Sequence, residues 1–384
     1  MNRSTSREYS KWNDEGVALL LALLFVVLLA AIVTDFMYRV QVEASLVSSS
    51  NTDHDAYLAA KSGIATAMSV LHGDRISNIE ESPDVGGIYD ALDEAWAQLA
   101  SVSSYNDDVV NITITDEYGK INLNALVFES EDGAEEQVRA ALEQVVRDVF
   151  MLYLGLEEDP TDLILDWLDA DQNARAEGAE SDYYESLDPP FSCKNGPMDS
   201  IEELLLLPGI TPEVYFGIPS KEEQMDEIDF SQEEDERQLM PLFQLFTVHG
   251  HPEGKININT SPIPGDVMTS VAVAQDLPYM GIEETVQRLE ENDPFVSEQQ
   301  LRESPYSLNA SPPDPNDPNN QGNPQQNFVP PPMFTTESNV FRIYSDAQSN
   351  NSSVRIEAYV FRDPSDNQDP EPQLFRTLDY RVIR

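Results

Sequence analysis

Gly16–Phe36 reads GVALLLALLFVVLLAAIVTDF, and its reading decides how the rest of the chain is arranged. No charged residue occurs from Val17 to Thr34, so the stretch is long and apolar enough for a membrane-spanning helix. A cleaved secretory signal has a basic start, an apolar run of roughly 7–15 residues and a small-residue site at its far end. Here the run is longer and ends IVTDFMYRVQ, without an A-x-A-like site. Orientation follows Lys and Arg, and Arg3, Arg7 and Lys11 precede the run, which predicts a cytoplasmic leader and a body on the far side of the membrane. Helical character continues in YLAAKSGIATAMSVL, where Leu58, Ile64, Met68 and Leu71 fall near helical spacing, and no proline occurs before Pro83. One helix from Val17 to Leu71 would be about 80 Å long at roughly 1.5 Å per residue. Its first part would be apolar on all sides and its second part amphipathic.

The remaining chain is strongly acidic. Of 384 residues, 22 are Lys or Arg against 70 Asp or Glu, a formal net charge of -48. Such a surface repels a phosphate backbone, because nucleic acid binding rests on basic side chains displacing counterions. Hydrophobic residues at 40% allow two or three folded domains. Cys193 is the single cysteine, so no intrachain disulfide forms. The four histidines are His54, His72, His249 and His251, and no Walker loop, HExxH, CxxC pair or GxSxG elbow occurs. His249-Gly250-His251, next to Pro252, reads as a loop. The expectation is a non-enzymatic protein.

An internal echo organises the middle: GKINLNAL at Gly119–Leu126 recurs as GKININTS at Gly254–Ser261. Asn122 and Asn124, like Asn257 and Asn259, alternate with apolar residues and are expected to bond local backbone and fix turns. Between the copies, AEEQVRAALEQVVRDVFMLYLG places Val138, Leu142, Val145, Val149 and Leu152 on one helical face, with Gly155 as its C-cap. DPTDLILDWLDA starts a helix at Pro160 and buries Leu163, Ile164, Trp167 and Leu168. MDSIEELLLLPGITPEVYFGI gives two short helices around a structural turn at Pro208 and Gly209. The same hairpin could present N–H groups to a phosphate, but Glu202, Glu203 and Glu213 flank it and no Lys or Arg occurs until Lys221. Packing, not DNA, is its expected role.

GIEETVQRLEEN and SEQQLRES add short helices, so residues 119–303 read as mostly helical. Lys221–Arg237 is an acidic loop, and residues 304–333 are a Pro- and Asn-rich linker. Strand patterns follow in NVFRIYSDA, SVRIEAYVFRD and LFRTLDYRVIR. Val354, Ile356, Ala358 and Val360 alternate with Arg355, Glu357 and Tyr359, which predicts a half-buried strand. With VVNITITDEYG they frame an α+β fold whose sheet residues lie on both sides of a helical insertion.

The sharpest constellation is DADQNARAEGAE from Asp169, set against the calcium-loop pattern D-x-[DN]-x-[DN]-G-x5-E. Asp169, Asp171 and Asn173 fill the first ligand positions, Arg175 offers a carbonyl and Glu180 stands twelfth. Alternating hard oxygens suit a cation that takes six to eight of them. Ala174 replaces the glycine of the sharp turn, so a looser site adding Asp182 competes with an EF-hand-like one, and a solvated acidic loop is the plain alternative.

A polar leader, Gly16 and a long apolar helix running into a folded body resemble the type IV pilin-like proteins. The resemblance implies cutting by a prepilin peptidase between Gly16 and Val17. Most members carry Glu at the fifth mature position, where this chain has Leu21, and acidic Asp14-Glu15 stands where basic residues usually precede the glycine. The missing carboxylate, together with LILDWLDADQNARAEGAESDYYESLDPPF, SIEELLLLPGITPEVY and KININTSP in that order, is similar to the K minor pseudopilin family of type II secretion. That family implies a pilin-like fold, a long helix on an antiparallel sheet, carrying an insertion of two SAM-like modules.

The expected division is a leader 1–16, a membrane and fibre-core helix 17–47, pilin-like helix and first strands 48–118, modules 119–253 and 254–303, the linker 304–333 and closing strands 334–384. The resemblance also implies calcium in the helical domain and a single-pass inner-membrane protein with periplasmic domains, extracted into a pseudopilus tip. Its partners would be other minor pseudopilins, the peptidase and an inner-membrane assembly platform, with the outer-membrane channel or secreted substrates beyond. An unprocessed, anchored calcium-binding interaction protein is the principal alternative, and an envelope DNA-uptake protein a weaker one.

Overall fold

The computed structural model describes residues 14–81, 89–99, 101–103, 109–129, 136–217, 240–274, 281–302, 333–349, 352–363 and 375–383. The leader ahead of Asp14, the acidic loop 221–237 and most of the Pro- and Asn-rich stretch lie outside the described residues.

Helix α1 (Asp14–Glu81) is unbroken over 68 residues, or about 100 Å at roughly 1.5 Å per residue. It extends beyond the Val17–Leu71 span read from sequence because nothing stops it before Pro83. Among the described residues it is the one helix long and apolar enough to cross a membrane. Its residues from Ala18 to Asn51 are exposed throughout, Leu, Val and Phe included. Beyond them, Ala56, Ala60, Gly63, Ala67 and Leu71 form a buried stripe. These small side chains let the sheet approach closely: a Cβ on Gly63 would strike the Ser345 side chain and Val110. Ile64 and Leu71 are buried as their spacing predicts, but Leu58 is exposed because the sheet lies on the alanine face.

Strands β1 (Ser101–Ser103) and β2 (Val109–Asp116) open the sheet. A helical insertion follows. It contains β3 (Ile121–Asn122), β4 (Val127–Glu129), β5 (Glu136–Val138), α2 (Ala140–Asp148), α3 (Thr161–Leu168), α4 (Ser181–Tyr184), α5 (Pro212–Phe216), α6 (Leu242–Leu245) and β6 (Phe246–Thr247). It continues with β7 (Ile256–Asn257), α7 (Pro264–Ala274), α8 (Ile282–Glu290) and β8 (Phe334–Thr335). The chain then returns to the sheet as β9 (Val340–Ser349), β10 (Ser352–Arg362) and β11 (Phe375–Ile383). The five-stranded sheet has the order β1-β2-β9-β10-β11, antiparallel throughout.

The insertion leaves and re-enters the sheet at one point. Asp116 pairs with Phe341, and Glu117 N donates to Val340 O at 3.0 Å. That point lies at the far end of α1 from its apolar segment. Arg75 pairs with Glu337 at 3.3 Å, and Arg362 Nη1 donates to Leu71 O at 3.4 Å, whereas Asp53 accepts from Ser352 at the opposite end of the sheet.

Two cores result. Val110, Ile112, Phe341, Ile343, Ile356 and Ala358 pack with the α1 stripe and Trp96, while the insertion has its own core around Phe150, Trp167, Phe246, Ile256 and Phe295. Four expectations differ from the structure. Val138 lies in β5, paired with Val127 in a short hairpin, not in the following helix. A π-helical turn at Val149–Tyr153 follows α2 and rotates the face, so Phe150 and Leu154 are buried while Leu152 is 74% exposed. Leu163 is only half-buried, with Asp166 fully buried on α3 instead. Strand β10 is not half-buried either: Glu357 and Tyr359, expected in water, are covered because the insertion packs on the second face of the sheet.

Candidate functional site: an oxygen-lined loop and a polar seam

Helix α3 ends where Asp169 turns extended at φ −80° and ψ 163°. One turn earlier, the buried Asp166 carboxylate accepts from Arg175 N at 3.0 Å and from the Arg175 guanidinium at 2.5 Å. The same guanidinium reaches Asp169. Gly178 N closes the turn onto Arg175 O at 3.2 Å, and a Cβ on Gly178 would collide with the Asp166 carboxylate. Arg175 thus fastens the loop through its side chain, and its carbonyl, read from sequence as a ligand, is engaged by Gly178.

Asp169, Asp171 and Glu180 bring carboxylate oxygens within 4.8 Å of one another. Asp169 Oδ1 and Glu180 Oε1 are buried without a hydrogen-bond partner. Asn195, in the left-handed region at φ 49°, donates from Nδ2 to Asp171 O and, at 3.4 Å, to Glu180 Oε2. That leaves Asn195 Oδ1 buried and unpartnered as well. Burial, then the charges of Asp166 and Asp169, pushes the Glu180 carboxyl above its ordinary range.

Orphaned buried acceptors carry a desolvation cost that a bound cation would offset. The donors are all hard oxygens, the set that suits calcium. Asp182 is exposed and stands outside this carboxylate group, and Asn173 is exposed on the same loop. Asn195 escapes a reading of the loop because it comes from a separate segment, although Asn195-Gly196 is itself a turn signal.

The neighbouring hairpin is fixed by a capping box between Ser200 and Glu203, a 3-10 turn over Ile201–Leu206 and Gly209 at φ 80°. Glu203 also accepts from Trp167 Nε1 at 2.9 Å and from Lys194 at 2.6 Å, tying the Pro208-Gly209 turn to the oxygen-lined loop.

The two GKIN copies form equivalent junctions. Asn122 Oδ1 accepts from Asn124 N, and Asn257 Oδ1 from Asn259 N, each at 3.1 Å, as their alternation predicts. Each second asparagine clamps a distant loop: Asn124 grips Met198 and Val248, and Asn259 grips Phe295 and the Asp90 carbonyl. The Ile-Asn pair of each copy lies parallel to a Phe-Thr pair, β3 to β6 and β7 to β8.

Beneath these junctions runs a polar seam to the sheet. Glu117, 1% exposed, pairs with Lys120 at 2.5 Å and with Arg342 at 3.4 Å and accepts from Thr247. Burial raises the Glu117 pKa, but the Lys120 and Arg342 charges prevail and hold it below the ordinary carboxylate range. Asp116 accepts from Asn257, Thr260 and Ser338, and Arg362 forks onto Asp90 at 2.7 Å.

A long N-terminal helix on an antiparallel sheet that carries a helical insertion is also the architecture of a chain in the crystal structure of the GspK-GspI-GspJ complex from the enterotoxigenic Escherichia coli Type 2 Secretion System. The match has a TM-score of 0.55 at 16% identity and covers 88% of this chain and 99% of that one. That likeness is one of fold.

Residues 119–218 match the family model for protein K of the type II secretion system (T2SS). The chain is 29% identical over 213 residues to Type II secretion system protein K of Aeromonas hydrophila, covering 52% of this chain and 60% of that protein. It is 28% identical over 260 residues to the protein K of Pseudomonas aeruginosa, covering 65% and 66% respectively. The match thus spans less than two thirds of these relatives' length. Over that part of its length the chain is similar to protein K of the type II secretion system.

Proposed function

We propose that this chain is a structural, non-enzymatic minor pseudopilin that starts or caps a short type II secretion pseudopilus. The supporting observation is geometric: one helix is bare and apolar at one end, and the bulky insertion springs from the sheet at the other. In this reading, prepilin peptidase cuts between Gly16 and Val17, and residues 17–47 pass from the inner membrane into the fibre core. With Leu21 where a carboxylate would otherwise meet a neighbour's free amine, the subunit offers that amine no partner, which suits the end of a fibre. The pilin-like sheet docks sideways on other minor pseudopilins, as the complex in the matched crystal structure suggests. The insertion, read as two SAM-like modules, stays above and blocks further addition, while the assembly platform below and the outer-membrane channel above frame the fibre. Calcium held by Asp169, Asp171, Glu180 and Asn195 would supply no chemistry beyond neutralising charge and fixing the loop.

Because Asp116 and Val340 lie at adjoining ends of paired strands, residues 117–339 are replaceable by a short turn. Cells carrying that deletion should form longer pseudopili, seen by electron microscopy. Unchanged fibre length would count decisively against capping.

A further inference from the structure

Between α7, α8 and the stretch Asn259–Gly265 lies a cavity of about 510 Å³, closed on its third side by Ala91, Leu92 and Asp93. Its floor is apolar, with Ile258 and Ile263 buried and Val286 and Leu289 half-buried. Pro262, Pro264 and Pro294 stiffen the walls. At the rim stand Asp93, Asp266 and Glu290, all exposed and none with an ion-pair partner among the described residues. Elsewhere on the insertion the carboxylates of Asp159, Asp166, Asp169 and Glu203 each hold an arginine or lysine. Neither the secretion role nor the cation loop uses this groove.

The occupant follows from what the groove repels and what it accepts. A second copy of this chain brings its own charge of -48, and phosphate groups meet the same repulsion. A bare metal ion finds no converging carboxylates, since these three are absent from the groups of acidic residues close enough to share an ion. The volume lies in the range of pockets that enclose a drug-sized ligand, room for a few side chains but not for a helix about 10 Å across. We infer that the groove binds a short extended peptide segment of another protein, whose apolar side chains fill the floor and whose flanking Lys or Arg meets Asp93, Asp266 and Glu290. This inference is independent of the pseudopilin reading.

The test uses the full chain in non-ionic detergent and a fluorescein-labelled pool of pentapeptides, Lys-Φ-Pro-Φ-Lys with Φ as Leu, Ile, Val or Phe. Saturable anisotropy is expected. Matched pools with Ser for Φ, or Glu for Lys, should not saturate. The triple variant Asp93→Asn, Asp266→Asn, Glu290→Gln alters only exposed positions and should weaken binding by about tenfold, as three modest surface pairs would. Glu158→Gln, Glu177→Gln, Glu185→Gln removes as much charge elsewhere and should leave affinity within about twofold. Equal losses in both triples would reduce the binding to diffuse charge and overturn the proposal. So would a Ser pool that binds as well, or no saturable binding of the first pool.

Discussion

Asp169 and Glu180 show how far single residues could be read. Spacing alone puts them at the ends of an acidic loop, and the structure brings them within reach of each other. Asp166 and Asn195 were not legible, one hidden on an amphipathic helix face and one arriving from a distant turn. If the orphaned oxygens hold calcium, Asp169→Ala and Asn195→Ala should each weaken its binding at least about tenfold, and calcium should raise the wild-type melting temperature. Calorimetry with no calcium heat in the wild type would refute the site.

Glu94 makes a second residue-scale prediction. Its carboxylate accepts from Ala91 N, Trp96 Nε1 and Asn78 Nδ2, all within 2.9 Å, where α1 meets the loop after it. Burial above all, with Asp74 and Asp90 nearby, pushes it up to about 8 from 4.5. The folded state therefore binds this proton more tightly than the unfolded chain does. Its contribution is full below pH 4.5 and is lost as pH rises through about 8. Relative to Glu94→Gln, wild-type melting temperature should fall across that window, and a flat difference would contradict the buried acid.

At the scale of elements, periodicity did most of the work. The apolar run, the alternation of β10 and the turn at Pro208-Gly209 were all readable. What failed depended on partners distant in sequence. Glu357 and Tyr359 are covered by an insertion that alternation cannot see, and a π-helical turn moved Leu152 out of the core. Neither Phe-Thr pair was legible, because two-residue strands carry no period. The α1 stripe yields a prediction of its own. Gly63→Val should overpack the contact with Ser345 and Val110 and cost about 1–3 kcal/mol, read by chemical denaturation. Wild-type stability in that variant would mean α1 does not sit this close to the sheet.

For the whole molecule, the question is whether insertion and sheet act as one body. Glu117, Lys120, Arg342 and Thr247 join them in a site closed to water, and removing Arg342 leaves Glu357, which it meets at 3.9 Å, as a buried charge without its cation. Arg342→Met should therefore cost about 3–5 kcal/mol and split one unfolding transition into two in calorimetry. A single, unshifted transition would show that the seam does not couple them. The sequence announced that a helical block interrupts a sheet, but not this seam, because buried charges look like surface charges until a fold closes over them. Under the proposed function, the bare end of α1 is a processed fibre helix. The most direct measurement is the N-terminal mass of the protein from cells with and without prepilin peptidase. A chain starting at Val17 is expected only when the peptidase is present. Met1 retained in both would contradict it and leave a protein that is anchored but never enters a fibre.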